Sequence, residues 1–282
     1  MKAIVLGSAQ DAGVPQIGCQ AALCRAVRAG RLPRRYPACL GLVDPGSGCA
    51  LLVDATPEMP RQIELLPAPA AGSSRERALP VQAILLTHAH IGHVLGLPLL
   101  GREAYAASGF PVWATAEMAA FLSANRPFAH LVTRGEIALR ELRPEEPCAP
   151  FPGLEVLPLA VPHRNEDTDT LAFVFRGPRR SLLYAPDFDR YTDPLLERVH
   201  AADVVILDGC FFSPTELGHR DQSQIPHPPI EESLRALRGV RGEVRFTHFN
   251  HTNPVLWEES PERRAVLDAG FALAHEGLAF DL

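Results

Sequence analysis

The run VQAILLTH (residues 81–88) constrains the fold more than any other segment. Its apolar and β-branched residues follow one another without polar alternation, which is the pattern of a buried strand rather than a half-exposed one. The same kind of run recurs along the chain. KAIVLG, ACLGLV, CALLVDAT, FPVWAT, GEIALREL, LEVLPLAV, DTLAFVFRG, RSLLYAPD, DVVILDG and EVRFTHF all read as short strands, cut apart by 27 prolines and 21 glycines. DPGSG between two of them is a hairpin turn. EMPRQIELL, VLGLPLLGREAYAA, AEMAAFLSAN, DPLLERVHAA, the segment after IPHPPI and SPERRAVLDAG read as helices, and PAPAAGSSRERALP (67–80) as a loop. Strands dominate each half and helices decorate them. This predicts two sheets packed face to face with helices outside, an α/β domain spanning residues 1–282 without a dividing linker.

Several strands stop on a residue capable of chemistry. LLTHAHIGHVLGL places His88, His90 and His93 at a strand exit and the first turn of the next helix. His88 and His90 are two apart, so an extended exit points both the same way. His93 lies three further on, a spacing that one helical turn returns to that side. Neutral imidazoles with a carboxylate are the usual ligands of a catalytic zinc. LLVDAT ends on Asp54, LAVPHRN presents His163, LLYAPDFD presents Asp187, and VRFTHFNH presents His248.

In that order the set resembles the metallo-β-lactamase fold superfamily, whose fold is a four-layer αββα sandwich with metal at one edge. The resemblance implies that His88, His90 and His163 hold a first metal and that Asp187 bridges. It assigns His93 and His248 to a second metal, Asp187 and His248 to catalysis, and to Asp54 the orientation of a ligand. GSAQDAGVPQIGCQAALCRAVRAG, LDGCFF, IPHPPI and HFNHTNPVL are similar to the pyrroloquinoline quinone biosynthesis protein B family over nearly the whole chain. One position departs from the superfamily pattern. Gly92 stands where two-metal members carry an aspartate, so a second ion would keep only His93, His248 and Asp187. The resemblance also points to Cys19, Cys24 and His251 as a depleted structural metal site, with Ala21 where a third thiolate is usual. Arg164, Asn250, Thr252, Asn253 and His227 are placed near the metal as substrate contacts, whereas His130, His200, His219 and His275 match no motif position.

The first expectation is therefore hydrolysis of a small anionic molecule by a metal-activated water, with one or two Zn²⁺ ions. Imidazoles and a carboxylate also suit Fe(II), which leaves an iron-dependent oxygenase or hydroxylase in quinone cofactor synthesis, and a non-catalytic carrier of a quinone-like compound, as alternatives. A formal charge of −6 gives no polybasic footprint for nucleic acid. No run reaches the ~20 apolar residues of a membrane span, and MKAIVLGSAQ lacks a cleavable leader's apolar core. The expected location is the cytoplasm, where six cysteines stay reduced or bind metal. The expected partner is the substrate, with a second copy in a homodimer allowed.

Overall fold

Fourteen strands build two seven-stranded sheets in the computed structural model, which describes residues 1–67, 79–218 and 221–282. Most of the loop read over 67–80, and His219, lie outside the described residues. In chain order the strands are β1 (Lys2–Gly7), β2 (Cys39–Val43), β3 (Ala50–Val53), β4 (Val81–Leu85), β5 (Phe110–Ala114), β6 (Ile137–Glu141) and β7 (Cys148–Phe151). The rest are β8 (Leu154–Ala160), β9 (Leu171–Arg176), β10 (Ser181–Ala185), β11 (Val204–Asp208), β12 (Glu243–Thr247), β13 (Ala272–Leu273) and β14 (Ala279–Asp281). The sheet orders are β14-β1-β2-β3-β4-β5-β6 and β13-β12-β11-β10-β9-β8-β7. Asp44 to Gly48 turn the chain between the antiparallel strands β2 and β3.

Side-chain alternation along the strands explains the continuous apolar runs. Leu182 and Tyr184 of β10 and Val204 and Ile206 of β11 face the other sheet, where they meet Val5, Leu40, Leu51 and Leu85. Their neighbours Leu183, Ala185, Val205 and Leu207 face outward under the helices Asp193–Ala201, Ile230–Ala236 and Pro261–Asp268. Ile4, Leu6, Leu52 and Ile84 do the same in the first sheet. A strand buried on both faces cannot carry a polar side, so its period-two signal disappears. The result is the αββα sandwich.

The long helix read over VLGLPLLGREAYAA does not form. The chain makes one turn, Ile91–Val94, and then a 3₁₀ segment, Leu97–Leu100, before a series of turns. Gly96 and Pro98 are the cause. Gly96 N–H donates to Ala55 O at 2.7 Å, and a Cβ at 96 would lie 2.3 Å from Thr56 O. The close approach fixes the His93 turn against the end of β3.

Strands β3 to β6 run parallel to one another, as do β10 to β13. The exits of β3, β4, β8, β10, β11 and β12 carry Asp54, His88, His163, Asp187, Asp208 and His248. Carboxyl ends of parallel strands are where open α/β sheets collect ligands. No helix among the described residues is long and apolar enough to cross a membrane.

Candidate metal centre

The two sheets bring their polar exits to one point. His88 Nε2 lies 3.4 Å from Asp187 Oδ2, and His163 Nε2 lies 3.2 Å from Asp187 Oδ1. His90 Nδ1 is 3.3 Å from His163 Nε2. Donors 2.0–2.1 Å from a tetrahedral zinc are separated from one another by about 3.3 Å. Three pairs thus already stand at ligand-to-ligand spacing, and one ligand atom from each of the four side chains lies within 4.8 Å of the others.

Hydrogen bonds turn the remaining ring nitrogens outward. His163 Nδ1 faces Asp189 Oδ1 at 2.8 Å, and His93 Nδ1 faces Asp54 Oδ2 at 2.7 Å. Asp54 also accepts from the Thr87 N–H at 2.8 Å, and the Thr87 hydroxyl lies 2.9 Å from His88 Nδ1. Such partners fix the tautomer and aim Nε2 inward. Asp54 and His248 both hold positive φ, 70° and 61°, a conformation that residues other than glycine adopt at a cost, aspartate and histidine more readily than most.

Several buried polar atoms here have no hydrogen-bond partner, among them His88 Nε2, His90 Nε2, Asp187 Oδ1 and both ring nitrogens of His248. A buried polar group left unpaired costs free energy. Clustered orphans of this kind fit a bound cation that accepts their lone pairs, and imidazole with carboxylate is the donor set that Zn²⁺ or Fe²⁺ takes.

Electrostatics separate these groups into two kinds. Burial, reinforced by neighbouring imidazoles, holds His88 and His248 well below the usual histidine range and His163 down to about 2. They stand neutral and ready to ligate. Burial pushes the Asp187 carboxyl up to about 8, with Asp208 adding to it and His227 opposing. Burial also opposes charge on His93, but Asp54, Asp11 and Asp187 outweigh it and raise the ring to about 9. Asp187 and His93 therefore carry protons at pH 7 that a cation must displace. Metal uptake at pH 7 should release between one and two protons per chain, read as the dependence of calorimetric enthalpy on buffer ionisation. Apparent affinity should climb from pH 6 to pH 9. Proton-neutral uptake would contradict the assignment.

The other expected contacts divide. His227, expected as a substrate contact, is part of the cluster itself. Its Nδ1 lies 2.6 Å from Asp208 Oδ2 and 3.3 Å from Asp187 Oδ1, and although burial opposes it, Asp208 foremost raises the ring well above its ordinary value. Arg164 has a buried Nε without a partner. Asn250 donates to the Thr252 hydroxyl at 2.7 Å, and that hydroxyl donates to Glu216. Asn253 is a correction. It is fully buried, donates to Gly209 O and Cys210 O, and accepts from Val255 N–H, so it caps a turn and does not reach a substrate. His251 Nδ1 lies 3.4 Å from Cys19 Sγ and 3.7 Å from Cys24 Sγ, which brings that trio together. All six cysteines are free thiols. Sequence reasoning missed Asp208 and Asp189, though Asp208 ends an apolar strand just as Asp54 follows one.

Residues 50–249 match the model of the beta-lactamase superfamily domain. Over its full length the chain is 35% identical to coenzyme PQQ synthesis protein B of Methylobacterium sp. strain 4-46, also over that protein's full length. The chain belongs to the coenzyme PQQ synthesis protein B family. Its relative in Ruegeria pomeroyi is 31% identical over 99% of both chains. The structure of Zn²⁺-bound PqqB from Methylobacterium extorquens superposes on all of the chain with a TM-score of 0.88 at 29% identity. A diphosphatase of the PhnP family shares the fold with a TM-score of 0.71 at 24% identity. Family membership and the αββα sandwich thus agree.

Proposed function

We propose that this chain is a metal-dependent hydrolase of a small anionic molecule, working in coenzyme PQQ synthesis as its relatives' names describe. The observation that carries the reading is the convergence of His88, His90, His163 and Asp187, with polar atoms buried and unpaired, at ligand spacing. A divalent cation held there would lower the pKa of water towards 7 and polarise a carbonyl or phosphoryl oxygen. The chain supplies the rest. Asp187, whose Oδ1 has no hydrogen bond, would supply the anionic ligand of that cation, and His248, neutral through burial, stands 3.5 Å from Asp187 Oδ2. The partly exposed Arg164 side chain offers a guanidinium for the substrate's negative group, since guanidinium suits carboxylate or phosphate. A cavity of about 400 Å³, lined by Ile91, Phe211, Asn250 and Thr252 among others, leaves room for a small molecule beside the cluster.

The same donor set would hold Fe²⁺, and an oxidation is the competing reaction. The test is turnover of pathway intermediates and phosphate or carboxylate esters by zinc-loaded protein, with and without oxygen. Equal rates in both atmospheres are expected. Strict dependence on oxygen and iron would replace hydrolysis with oxidation, and tight binding of a quinone without turnover would make the chain a carrier.

A further inference from the structure

Position 92 has no room for a side chain. A Cβ there would lie 2.2 Å from Asp11 Oδ1 and 2.5 Å from Asp11 Cα. The loop after β1 occupies this space, pinned where Gln10 N–H donates to Phe249 O at 3.0 Å and Val14 N–H to Arg35 O at 2.9 Å. Gly92 N–H donates to Asp11 Oδ1 at 3.1 Å and fixes the carboxylate. That oxygen lies 3.7 Å from His93 Nε2, which lies 3.9 Å from Asp187 Oδ2. His248 Nε2 is 3.5 Å from the same Asp187 oxygen. One ligand atom each of Asp11, His93 and His248 fall within 4.8 Å of one another.

An independent observation points to a ligand at this place. His248 is 1% exposed, and neither of its ring nitrogens has a hydrogen-bond partner. We propose that Asp11 supplies, from a loop distant in sequence, the carboxylate that position 92 lacks, so that Asp11, His93, His248 and Asp187 form a second divalent-cation site sharing Asp187 with the first. Glycine at 92 is then part of the site, because any larger residue would expel the Asp11 loop. The site takes a cation of mixed oxygen and nitrogen preference such as Mn²⁺, Fe²⁺ or Zn²⁺. Asp11 also lines the cavity beside Asn250 and Thr252, so this cation faces the substrate space. The proposal rests on the metal-binding half of the functional reading and is indifferent to whether the reaction is hydrolysis or oxidation.

The test is titration of metal-free protein with Mn²⁺, which prefers oxygen and nitrogen to thiolate and so passes over Cys19 and Cys24. Two ions per chain are expected, with the spin-coupled resonance spectrum of a carboxylate-bridged pair. Asp11→Asn keeps an oxygen for the Gly92 N–H and removes only the charge. It should weaken the second ion by at least about tenfold and leave the first unchanged. Asp11→Ala should bind one ion and give an isolated-ion spectrum. A single ion in the unmodified protein would overturn the second site while leaving the first intact. No Mn²⁺ uptake at all would overturn both readings, and unaltered coupling in both variants would remove Asp11 from the site.

Discussion

Asp187→Asn will strip the protein of its cation yet leave the metal-free form at least as stable as before. The two effects have one origin. Asp187 is buried, lies within 3.2–3.5 Å of ring nitrogens of His163, His88 and His248, and is the carboxylate that all three share. Losing its charge should weaken metal affinity by at least about a hundredfold. The loss of about 4 kcal/mol of charge stabilisation in the reaction would lower turnover by about a thousandfold. Without metal the same carboxyl is a liability. Burial raises it to about 8 from 3.8, so between those values the unfolded chain is ionised while the folded chain is not. The folded state then binds more protons, and stability falls as pH rises through that window. Asparagine cannot ionise and removes this slope. Melting of the metal-free proteins should differ little at pH 4 and favour the variant at pH 8 by a few degrees, at about 2–4 °C per kcal/mol. A variant that melts lower at pH 8, or that keeps its metal affinity, would refute the role given to Asp187.

The strand-end residues were legible in the sequence because of how the sandwich is built. Where a strand is buried on both faces, polar residues are excluded until the chain leaves the sheet, so His88, His163, Asp187 and His248 stand out at the edges of apolar runs. The two sheets and the hairpin around Asp44 were legible through the same contrast. Asp208 gave an equal signal in DVVILDG, but without the structure nothing distinguished it from a turn aspartate. Asp11 gave none. It lies in a loop without periodicity, and its partner Gly92 is 81 residues away. Local pattern also misled where tertiary contact outweighed it. Leu95 to Ala107 have helical spacing of apolar residues, yet Gly96 is pressed against the β3 exit and the helix stops. The helix Ala22–Arg28 is illegible for a related reason, since packing of Leu23 and Val27 beneath the second sheet's outer layer sets it.

The aspartate behind His93 should matter more to folding than to chemistry. Asp54 is fully buried, accepts from the Thr87 amide and hydroxyl, and faces His93 Nδ1 at 2.7 Å. Asp54→Ala leaves that amide and the imidazole without their partner in the interior, and breaking a buried pair from one side costs about 3–5 kcal/mol. Alanine must also adopt the φ of 70° at this position, which asparagine tolerates better. The loss should depend on pH with a definite sign. His93 is raised from 6.5 to about 9 in the folded protein, so its charged pair with Asp54 contributes fully below pH 6.5 and fades as pH rises through 9. Urea unfolding of metal-free Asp54→Ala should therefore show its greatest deficit near pH 6 and a smaller one at pH 9.5. Asp54→Asn, which can keep the Thr87 amide bond without the charge, should recover part of the pH-independent remainder and little of the pH-dependent part. If the deficit were the same at both pH values, the pair would be a neutral hydrogen bond. His93 would then meet an incoming cation with its Nε2 already unprotonated, and only Asp187 would release a proton on metal uptake.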